Sequence, residues 1–432
     1  MSVVEARPLA SMEGLDTGEG ASLTWLGQAG FLIRQAGLNI VIDAYLSDSL
    51  AEKYRGTRFP HQRMTPAPIE PGALRGIDWL LCTHGHTDHM DPGTIPELLA
   101  ANPQAKVLAP RAERARAIER GAPEDRLVLI DAGESLDLGG VVVTATAAAH
   151  EELKRTEDGY LFLGYVLSGG GVTLWHSGDT IPFPGLAEWL MPFRVDLALL
   201  PVNGRDALRA ANGVPGNLTL EEAVALADEI GARAMIGHHF GLFDFNTLDP
   251  EDGALRLAAL TPRAEVRLAE ISTDYHIPPV EHSPLSILVV CRGNICRSPT
   301  ADGILRAALP RHRIDSAAIM DWNVGKPPHA ETTAVAAARG VALERLIARQ
   351  IRKTDFEEFD LILGMDEENM EAIRALRPAG SHARIGRLGA YGAPGEESTI
   401  IDPWGQSRAA FEAVFEQIKT ACERLTQFAR TA

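Results

Sequence analysis

The chain has 432 residues, too many for one hydrophobic core, which implies two or three domains. Hydrophobic residues make up 45% of it, and no run approaches the roughly 20 apolar residues of a membrane span, so no membrane partner is expected. The net charge of −17, from 41 Lys and Arg against 58 Asp and Glu, argues against nucleic acid as a stable partner but leaves room for local phosphate pockets.

Residues 1–20 read as a loose arm, acidic and without the apolar run of a signal peptide. From Leu23 to about Glu270, short apolar strands alternate with helical runs. Strands are predicted at Leu38 to Ile42, Trp79 to Cys82, Val141 to Thr146, Val172 to Trp175 and Leu197 to Val202. Thr219-Leu220-Glu221-Glu222 predicts a capping box on a helix that stops at Gly231. Residues 275–284, with Pro278, Pro279 and Pro284, predict a linker between a domain over 21–274 and another over 285–432. In the last helix Phe411, Val414, Phe415, Ile418, Ala421, Cys422 and Leu425 form one apolar stripe. Cys82, Cys291, Cys296 and Cys422 do not make a disulfide scaffold in so long a chain, so a reducing, cytoplasmic setting is expected.

The first chemical cluster follows the predicted strand at Trp79. Thr83-His84-Gly85-His86-Thr87-Asp88-His89 places four potential ligands within six residues. On an extended chain His84 and His86 point to one side. A turn then brings in Asp88 and His89, and Asp91-Pro92 is expected to start a helix. Neutral imidazoles with a carboxylate suit Zn²⁺, Mn²⁺ or Fe²⁺.

This pattern resembles the metallo-β-lactamase superfamily, whose later segments follow in order. His150 comes after Ala145 to Ala149, Asp179 lies in Ser177-Gly178-Asp179-Thr180, and His239 in Gly237-His238-His239-Phe240-Gly241. The resemblance implies two divalent metal ions, one held by His84, His86 and His150 and the other by Asp88, His89 and His239, with Asp179 between them. It also implies metal-activated water as nucleophile, and His239 rather than His238 as ligand. Thr24 to Phe31, Asp43 to Ser47 and Leu200 to Asp206 resemble the L-ascorbate-6-phosphate lactonase branch, which implies a phosphorylated sugar lactone and manganese. Asp43 either orients a ligand histidine or terminates a strand; both readings stay open. Asn203 and Arg205, on a loop after a strand, are candidate contacts to substrate oxygens or phosphate.

The second cluster is Cys291-Arg292-Gly293-Asn294-Ile295-Cys296-Arg297-Ser298-Pro299, between a predicted buried strand, Ile287 to Val290, and a predicted helix, Thr300 to Leu309. Ser298 is expected to cap that helix and Pro299 to take its first position. The loop would then end where backbone N–H groups and the helix dipole favour an anion. Gly293 and Asn294 tolerate the left-handed backbone of a phosphate nest. Arg292, Gly293, Asn294, Ile295, Cys296 and Ser298 are the candidate cradle, Arg297 the bidentate fork and Cys291 the nucleophile.

Cys-x5-Arg followed by Ser resembles the signature of low-molecular-weight protein tyrosine phosphatases. The likeness spans roughly residues 285–430 through Asp315 to Ala318, Asp321 to Gly325, Phe359 to Asp366 and Asp402-Pro403-Trp404. It implies a phosphocysteine on Cys291, charge stabilisation by Arg297, and Asp402 as general acid and then base. It also implies Trp322 and Trp404 as aromatic walls. Cys296 is either a disulfide partner of Cys291 under oxidation or a packed thiol. Arg292 stands where many family members carry a small or apolar residue, which favours substrates with extra negative charge. Pro327-Pro328-His329-Ala330 replaces the family's Asp-Pro-Arg-Ala, and the histidine that supports the loop asparagine in some relatives is replaced around Leu346.

The expected architecture is α/β throughout: an N-terminal metallo-β-lactamase-like αββα sandwich and a C-terminal three-layer α/β phosphatase domain with a central parallel sheet. The expected function is a bifunctional hydrolase of a small phosphorylated metabolite. Its metal site would open a lactone or cyclic phosphodiester, and its cysteine site, which needs no cofactor, would remove the phosphate. The alternatives are a regulatory phosphatase acting on phosphotyrosyl protein, with the metal domain as sensor or docking module, and arsenate reduction.

Overall fold

The computed structural model describes residues 2–9, 19–191, 193–281, 283–392 and 398–431. These form two compact units, Met1–Leu186 with Arg194–Glu281, and Ala187–Phe193 with His282–Ala432.

In the first unit, two sheets pack face to face. One runs Glu5–Pro8, Thr273–Ile277, Ala21–Gly27, Gly30–Gln35, Leu38–Ile42, Trp79–Leu81, Lys106–Pro110, Leu127–Ile130. The other runs Glu265–Leu268, Ala234–His238, Leu197–Pro201, Val172–His176, Leu163–Gly169, Val142–Ala147, Ser135–Asp137. Polar groups caught between the sheets find partners across the gap. The Tyr165 hydroxyl donates to the Cys82 carbonyl at 2.8 Å, and His176 Nε2 to the Ala29 carbonyl at 2.9 Å. The central strands are apolar on both faces because helices cover the outside. Ile95, Leu98 and Leu99 of the helix Thr94–Ala101 pack on Val41, Leu80 and Val107. On the other sheet the helix Leu220–Glu229 buries Leu220, Ala223, Val224, Leu226 and Ala227. This is the expected αββα sandwich. Both halves of the predicted capping box are present, and Gly231 takes the left-handed conformation (φ 70°) that ends the helix. The five predicted strands are found to within one residue at each end.

The predicted boundaries of this unit need correction. Residues 5–8 of the expected arm pair antiparallel with Thr273–Ile277, which lies against Ala21–Gly27. That pairing carries the sheet through Tyr275, Ile277 and the start of the expected linker, and both side chains are buried. Residues 10–18 of the arm and His282 of the linker lie outside the described residues. Among the described residues no helix is long and apolar enough to cross a membrane.

The second unit is built on a four-stranded, wholly parallel sheet in the order Arg313–Ala318, Ser286–Cys291, Leu361–Gly364, Arg384–Arg387. One face packs on the helices Arg297–Ala308 and Arg408–Thr431 through Ile287, Val289, Leu305, Ile418, Ala421, Cys422 and Leu425. Met191 belongs to the same core. The other face packs on Phe356, Phe359, Met370 and Ile373. The predicted stripe of the last helix is buried except Val414, which is half-buried. The strand carrying Cys291 lies between the second and third strands of the domain. The order reverses there, at the point where open parallel sheets place their ligand crevices.

Candidate functional sites

In the first unit, four strand ends supply the cluster. His84, His86, Asp88 and His89 follow Trp79–Leu81; His150 follows Val142–Ala147; Asp179 follows Val172–His176; His239 follows Ala234–His238. Three groups converge, His84/His86/His150, His84/His89/Asp179 and Asp88/His89/His239, with ligand atoms within 4.8 Å of one another in each. Asp179 is central: one oxygen lies 3.3 Å from His89 Nε2 and 3.5 Å from His150 Nε2, the other 3.2 Å from His239 Nε2. All seven expected metal residues are therefore together. His238 is not among them; it stacks on His176 between the sheets, 4.9 Å between ring centroids.

The electrostatics of this cluster suit cations. Burial holds His84 and His86 neutral, and His150 falls to about 4 for the same reason, so each keeps the ligating form. At His89 burial also opposes charge, but Asp179, Asp43 and Asp88 outweigh it and raise the imidazole well above its ordinary value. Burial would raise Asp179, yet His239 and His89 overcome it and hold the carboxylate well below its usual range. Buried His84 Nε2, His89 Nε2 and Asp179 Oδ1 make no aligned hydrogen bond. Orphaned nitrogens and buried carboxylates at one point are a donor set for divalent metal, and the residues fit two such ions.

Supporting contacts hold the cluster. Asp43, in left-handed backbone (φ 46°), accepts from the Thr83 N–H and lies 2.7 Å from His89 Nδ1, fixing which nitrogen faces the centre. Of the two open readings, it orients a histidine. Gln28, also left-handed (φ 50°), donates to Asp88 at 2.9 Å and lies 3.3 Å from His239 Nε2. No role for Gln28 was expected; its place beside a glycine at a strand turn was the available signal. Asp91 does not begin the helix directly. Its carboxylate gathers Ser47, Ser49, Gly93 and Thr94, and the helix starts at Thr94.

A cavity of about 350 Å³ opens onto His86, Asp88, His150, Asp179 and His239. The expected substrate contacts do not reach it. Arg205 forms a two-point pair with Glu222 at 2.6 and 2.7 Å, which occupies its fork. Asn203 is buried, giving its amide to Asn246 and accepting from Asn217. Both are corrected to structural roles: a loop after a strand can face the helix behind it as readily as the crevice.

In the second unit, Cys291 ends its strand with its sulfur buried. The Asn294 N–H (3.3 Å) and the Ser298 hydroxyl (3.1 Å) both donate to Sγ, which suits sulfur carrying negative charge. Ser298 is thus not the helix cap. The helix Arg297–Ala308 begins earlier than predicted, with Cys296 at the cap position and no side-chain cap bond. Asn294 takes the left-handed backbone (φ 51°), and its side chain is fixed by Ser298 Oγ at 2.9 Å and the Arg349 N–H at 3.0 Å. Gly293 is not left-handed; a Cβ there would lie 2.8 Å from Asn323 Nδ2, so a larger residue would displace the end of the Asn323 side chain.

Arg297 is buried, with its fork donating to Asp366, to the Ile400 carbonyl (2.9 Å) and to Asp402 (2.7 Å). Burial opposes its charge, but Cys291, Asp402 and Asp366 outweigh that and hold it cationic. Asp366 had no expected role; a carboxylate just past a parallel strand, on the sheet's active edge, was the signal. Arg292, Gly293, Ile295, Cys296, Trp322, Asn323, Asp402 and Trp404 line a cleft of about 360 Å³ over the sulfur. Trp322 and Trp404 are largely exposed, and the Arg292 guanidinium sits over Trp322, 5.4 Å from the ring centroid. Cys296 packs with Val335, Ala336, Leu343, Phe411 and Phe415, and burial pushes its thiol up to about 12. All four cysteines are free.

The two sites define two classes of domain: a buried His/Asp metal cluster between two sheets, and a sulfur-centred anion loop at the edge of a parallel sheet. Residues 38–240 match the family model "Beta-lactamase superfamily domain", and residues 286–431 match "Low molecular weight phosphotyrosine protein phosphatase". Over 147 residues the chain is 35% identical to the low molecular weight protein-tyrosine-phosphatase YfkJ of Bacillus subtilis, covering 33% of this chain and 93% of that protein. It is 39% identical over 142 residues to a low molecular weight phosphotyrosine protein phosphatase of Drosophila melanogaster, covering 32% of this chain and 91% of that one. The Sus scrofa protein of the same description is 36% identical over 153 residues, 34% of this chain and 96% of its own length. The chain belongs to the low molecular weight phosphotyrosine protein phosphatase family through its C-terminal third, fused behind a β-lactamase-superfamily domain.

Proposed function

We propose that the chain is a bifunctional hydrolase in which the metal cluster opens a lactone or cyclic phosphodiester of a small phosphorylated metabolite and Cys291 then removes the phosphate. The observation that carries the phosphatase half is the pair of donors, Asn294 N–H and Ser298 Oγ, aimed at the Cys291 sulfur beside the Arg297 fork. Cys291 Sγ attacks phosphorus, forming the P–S bond as the P–O ester bond breaks. The departing oxygen takes its electron pair and a proton from Asp402. Water then attacks phosphorus, gives its proton to Asp402, and the thiolate leaves. Substrate phosphate replaces the Asp402 carboxylate on the Arg297 fork, freeing Asp402 to take the proton of the entering phosphate monoanion and pass it to the leaving oxygen, while Asp366 keeps the fork oriented.

In the first unit, His84, His86, Asp88, His89, His150, Asp179 and His239 would hold two divalent ions, manganese, zinc or iron. Such ions supply polarisation of the scissile bond and activation of water. Asp43 and Gln28 keep His89 and Asp88 aimed at the centre. The lactonase reading rests on Thr24 to Phe31 and Asp43 to Ser47. The cysteine loop takes only a monoester, so ring opening must come first where the phosphate is cyclic. A cytoplasmic setting belongs to this reading, since Cys291 must stay reduced.

The test uses each single-site variant on both candidate substrates. Cys291→Ser should accumulate the opened monoester, and His86→Ala should leave the ring intact. Release of phosphate from a cyclic diester by His86→Ala would sink the sequence of steps.

A second reading is favoured by the names of the relatives and by the exposed Trp322 and Trp404 flanking the cleft, which fit an aromatic phosphate. It makes the second unit a phosphatase of phosphotyrosyl protein. A phosphopeptide panel decides: strong preference for tyrosyl peptides over sugar phosphates supports it, and indifference supports the metabolite.

A further inference from the structure

Around the mouth of the metal cavity, the only carboxylates in the lining among the described residues are Asp88 and Asp179, both within the cluster itself. The remaining charged side chains of the lining are all cationic: Lys53, Arg58, Arg116 and Arg120. On a chain of net charge −17 this is a concentrated exception. Lys53 is the last residue of the short helix Ser49–Lys53, and Arg58 follows the turn after it. Arg116 and Arg120 lie one helical turn apart, on and at the end of the helix Arg114–Glu119.

Three of the four have no carboxylate within salt-bridge distance among the described residues. Arg120 donates to the Thr87 hydroxyl at 3.1 Å, inside the metal-binding loop, and Arg58 to the Asn212 amide oxygen at 3.4 Å. Lys53 rests 5.0 Å over the Tyr54 ring. Only Arg116 is paired, with Glu113 at 3.0 Å, and Glu113 does not line the cavity. Guanidinium groups satisfied by neutral oxygens keep several N–H donors free; the Glu113 carboxylate acts on Arg120 as well as on Arg116, from beyond salt-bridge distance of Arg120. Tyr54, Phe59, His61 and Phe243 also line the cavity, with Tyr54 and His61 stacked at 4.3 Å. The space, about 350 Å³, is at the small end of ligand pockets, roughly 300–1,000 Å³, and suits a small molecule.

We infer that Lys53, Arg58, Arg116 and Arg120 form a phosphoryl-recognition wall that selects a small organic phosphate, binding its anionic group while the rest of the molecule reaches the metal cluster. This deepens the proposed function and rests on the cavity being the metal site's substrate pocket. It also relocates the local cations: Arg205, the sequence-based candidate, is locked on Glu222. Arg120 is the most telling of the four, because its bond to Thr87 ties anion recognition to the segment that carries His86 and Asp88.

The experiment measures binding directly, by titration calorimetry on the full metal-loaded chain carrying Arg297→Met to weaken phosphate binding in the second unit. The probes are ribose 5-phosphate, glucose 6-phosphate and 6-phosphogluconate, each against its unphosphorylated parent. At least one phosphorylated probe should bind ten-fold or more tighter than its parent, and more weakly as salt rises. Arg116→Gln with Arg120→Gln should erase that preference, a loss of roughly ten-fold or more expected for charge-assisted hydrogen bonds. The double Lys variant should recover part of it, and metal content and melting temperature should stay unchanged. Equal binding of phosphorylated and unphosphorylated probes, or full affinity in the double Gln variant, overturns the inference. So does comparable binding of a ten-residue oligothymidylate, which would make the wall a nucleic-acid contact. Ring opening is assayed separately: if the double Gln variant loses the phosphate preference but the unsubstituted chain opens no ring, only the proposed reaction is refuted, not the wall.

Discussion

The two sites differ in how their parts are spread along the chain. The sulfur loop draws nucleophile, cradle and fork from residues 291–298, one strand-to-helix turn. The metal cluster draws on four strand ends from His84 to His239, taken from both sheets of the sandwich. A site made by one turn needs only its local backbone, with Asp402 and Asp366 brought in as partners. A site made by four strand ends exists only when two sheets are in register, so binding there and folding of the unit are linked. The loop should fail chemically when a single atom is changed. The cluster should fail by losing both metal and stability.

The largest effect is expected from Cys291→Ser. A hydroxyl is a far weaker nucleophile than a thiolate at neutral pH, so aryl phosphate turnover should fall by at least about a thousand-fold. Metal content and melting should not move, because the loop is local. Turnover within ten-fold of the parent would remove Cys291 from its role.

Asp402→Asn comes next. Loss of the general acid should cost roughly a hundred-fold or more with an alkyl leaving group and much less with nitrophenolate, which needs no proton. Equal losses for both leaving groups would make Asp402 a structural partner of Arg297 only.

Metal removal probes the other side of the comparison. Chelation should lower the melting of the first unit alone. A metal at about 100 times its Kd stabilises by about 2.7 kcal/mol, or roughly 5–10 °C for a unit of this size. Asp179→Ala should mimic chelation and reduce bound metal, while aryl phosphate turnover stays intact. Full metal occupancy in Asp179→Ala, or a shift of both melting transitions, would break the distinction.

The same contrast explains what could be read from sequence. Cys291 to Pro299 was legible because chemistry and turn occupy adjacent positions. The histidine motif was legible for its first four ligands. His150, Asp179 and His239 came only through family order, since nothing in one sequence shows which strand ends meet. Periodicity placed five strands of the two sheets to within a residue at each end and left the others unplaced, among them Glu5–Pro8. Its partner, Thr273–Ile277, lies far away along the chain, and local pattern does not report such pairing. Side-chain direction was the least legible property. Ser298 was expected to cap a helix and instead meets sulfur. Gln28, Asp366 and Arg120 carried no local signature beyond sitting near strand ends or in a turn.

Arg205→Ala gives the smallest expected effect and tests that last point. Arg205 and Glu222 are about one-third exposed, 38% and 32%, and their pair should contribute no more than about 1 kcal/mol. Glu222 is also the last residue of the capping box, with its carboxylate accepting from the Thr219 N–H at 2.9 Å. Removing Arg205 leaves that bond and takes away only the neighbouring charge. The hydrogen bond from Arg205 is the main reason the Glu222 carboxyl lies below its ordinary value. A carboxyl lowered in the folded state stabilises the fold above its unfolded value, about 4.3, and that contribution is lost as pH falls through the folded value. The melting difference between the parent and Arg205→Ala should therefore be present at pH 7, shrink in high salt, begin to fall only below about pH 4.3 and vanish once the pH is below the lowered folded value of Glu222. Ring-opening turnover and substrate affinity should change less than two-fold, because the arginine's fork faces a helix and not the cavity. A KM raised ten-fold with unchanged melting would return Arg205 to the substrate and displace the cationic wall from that role.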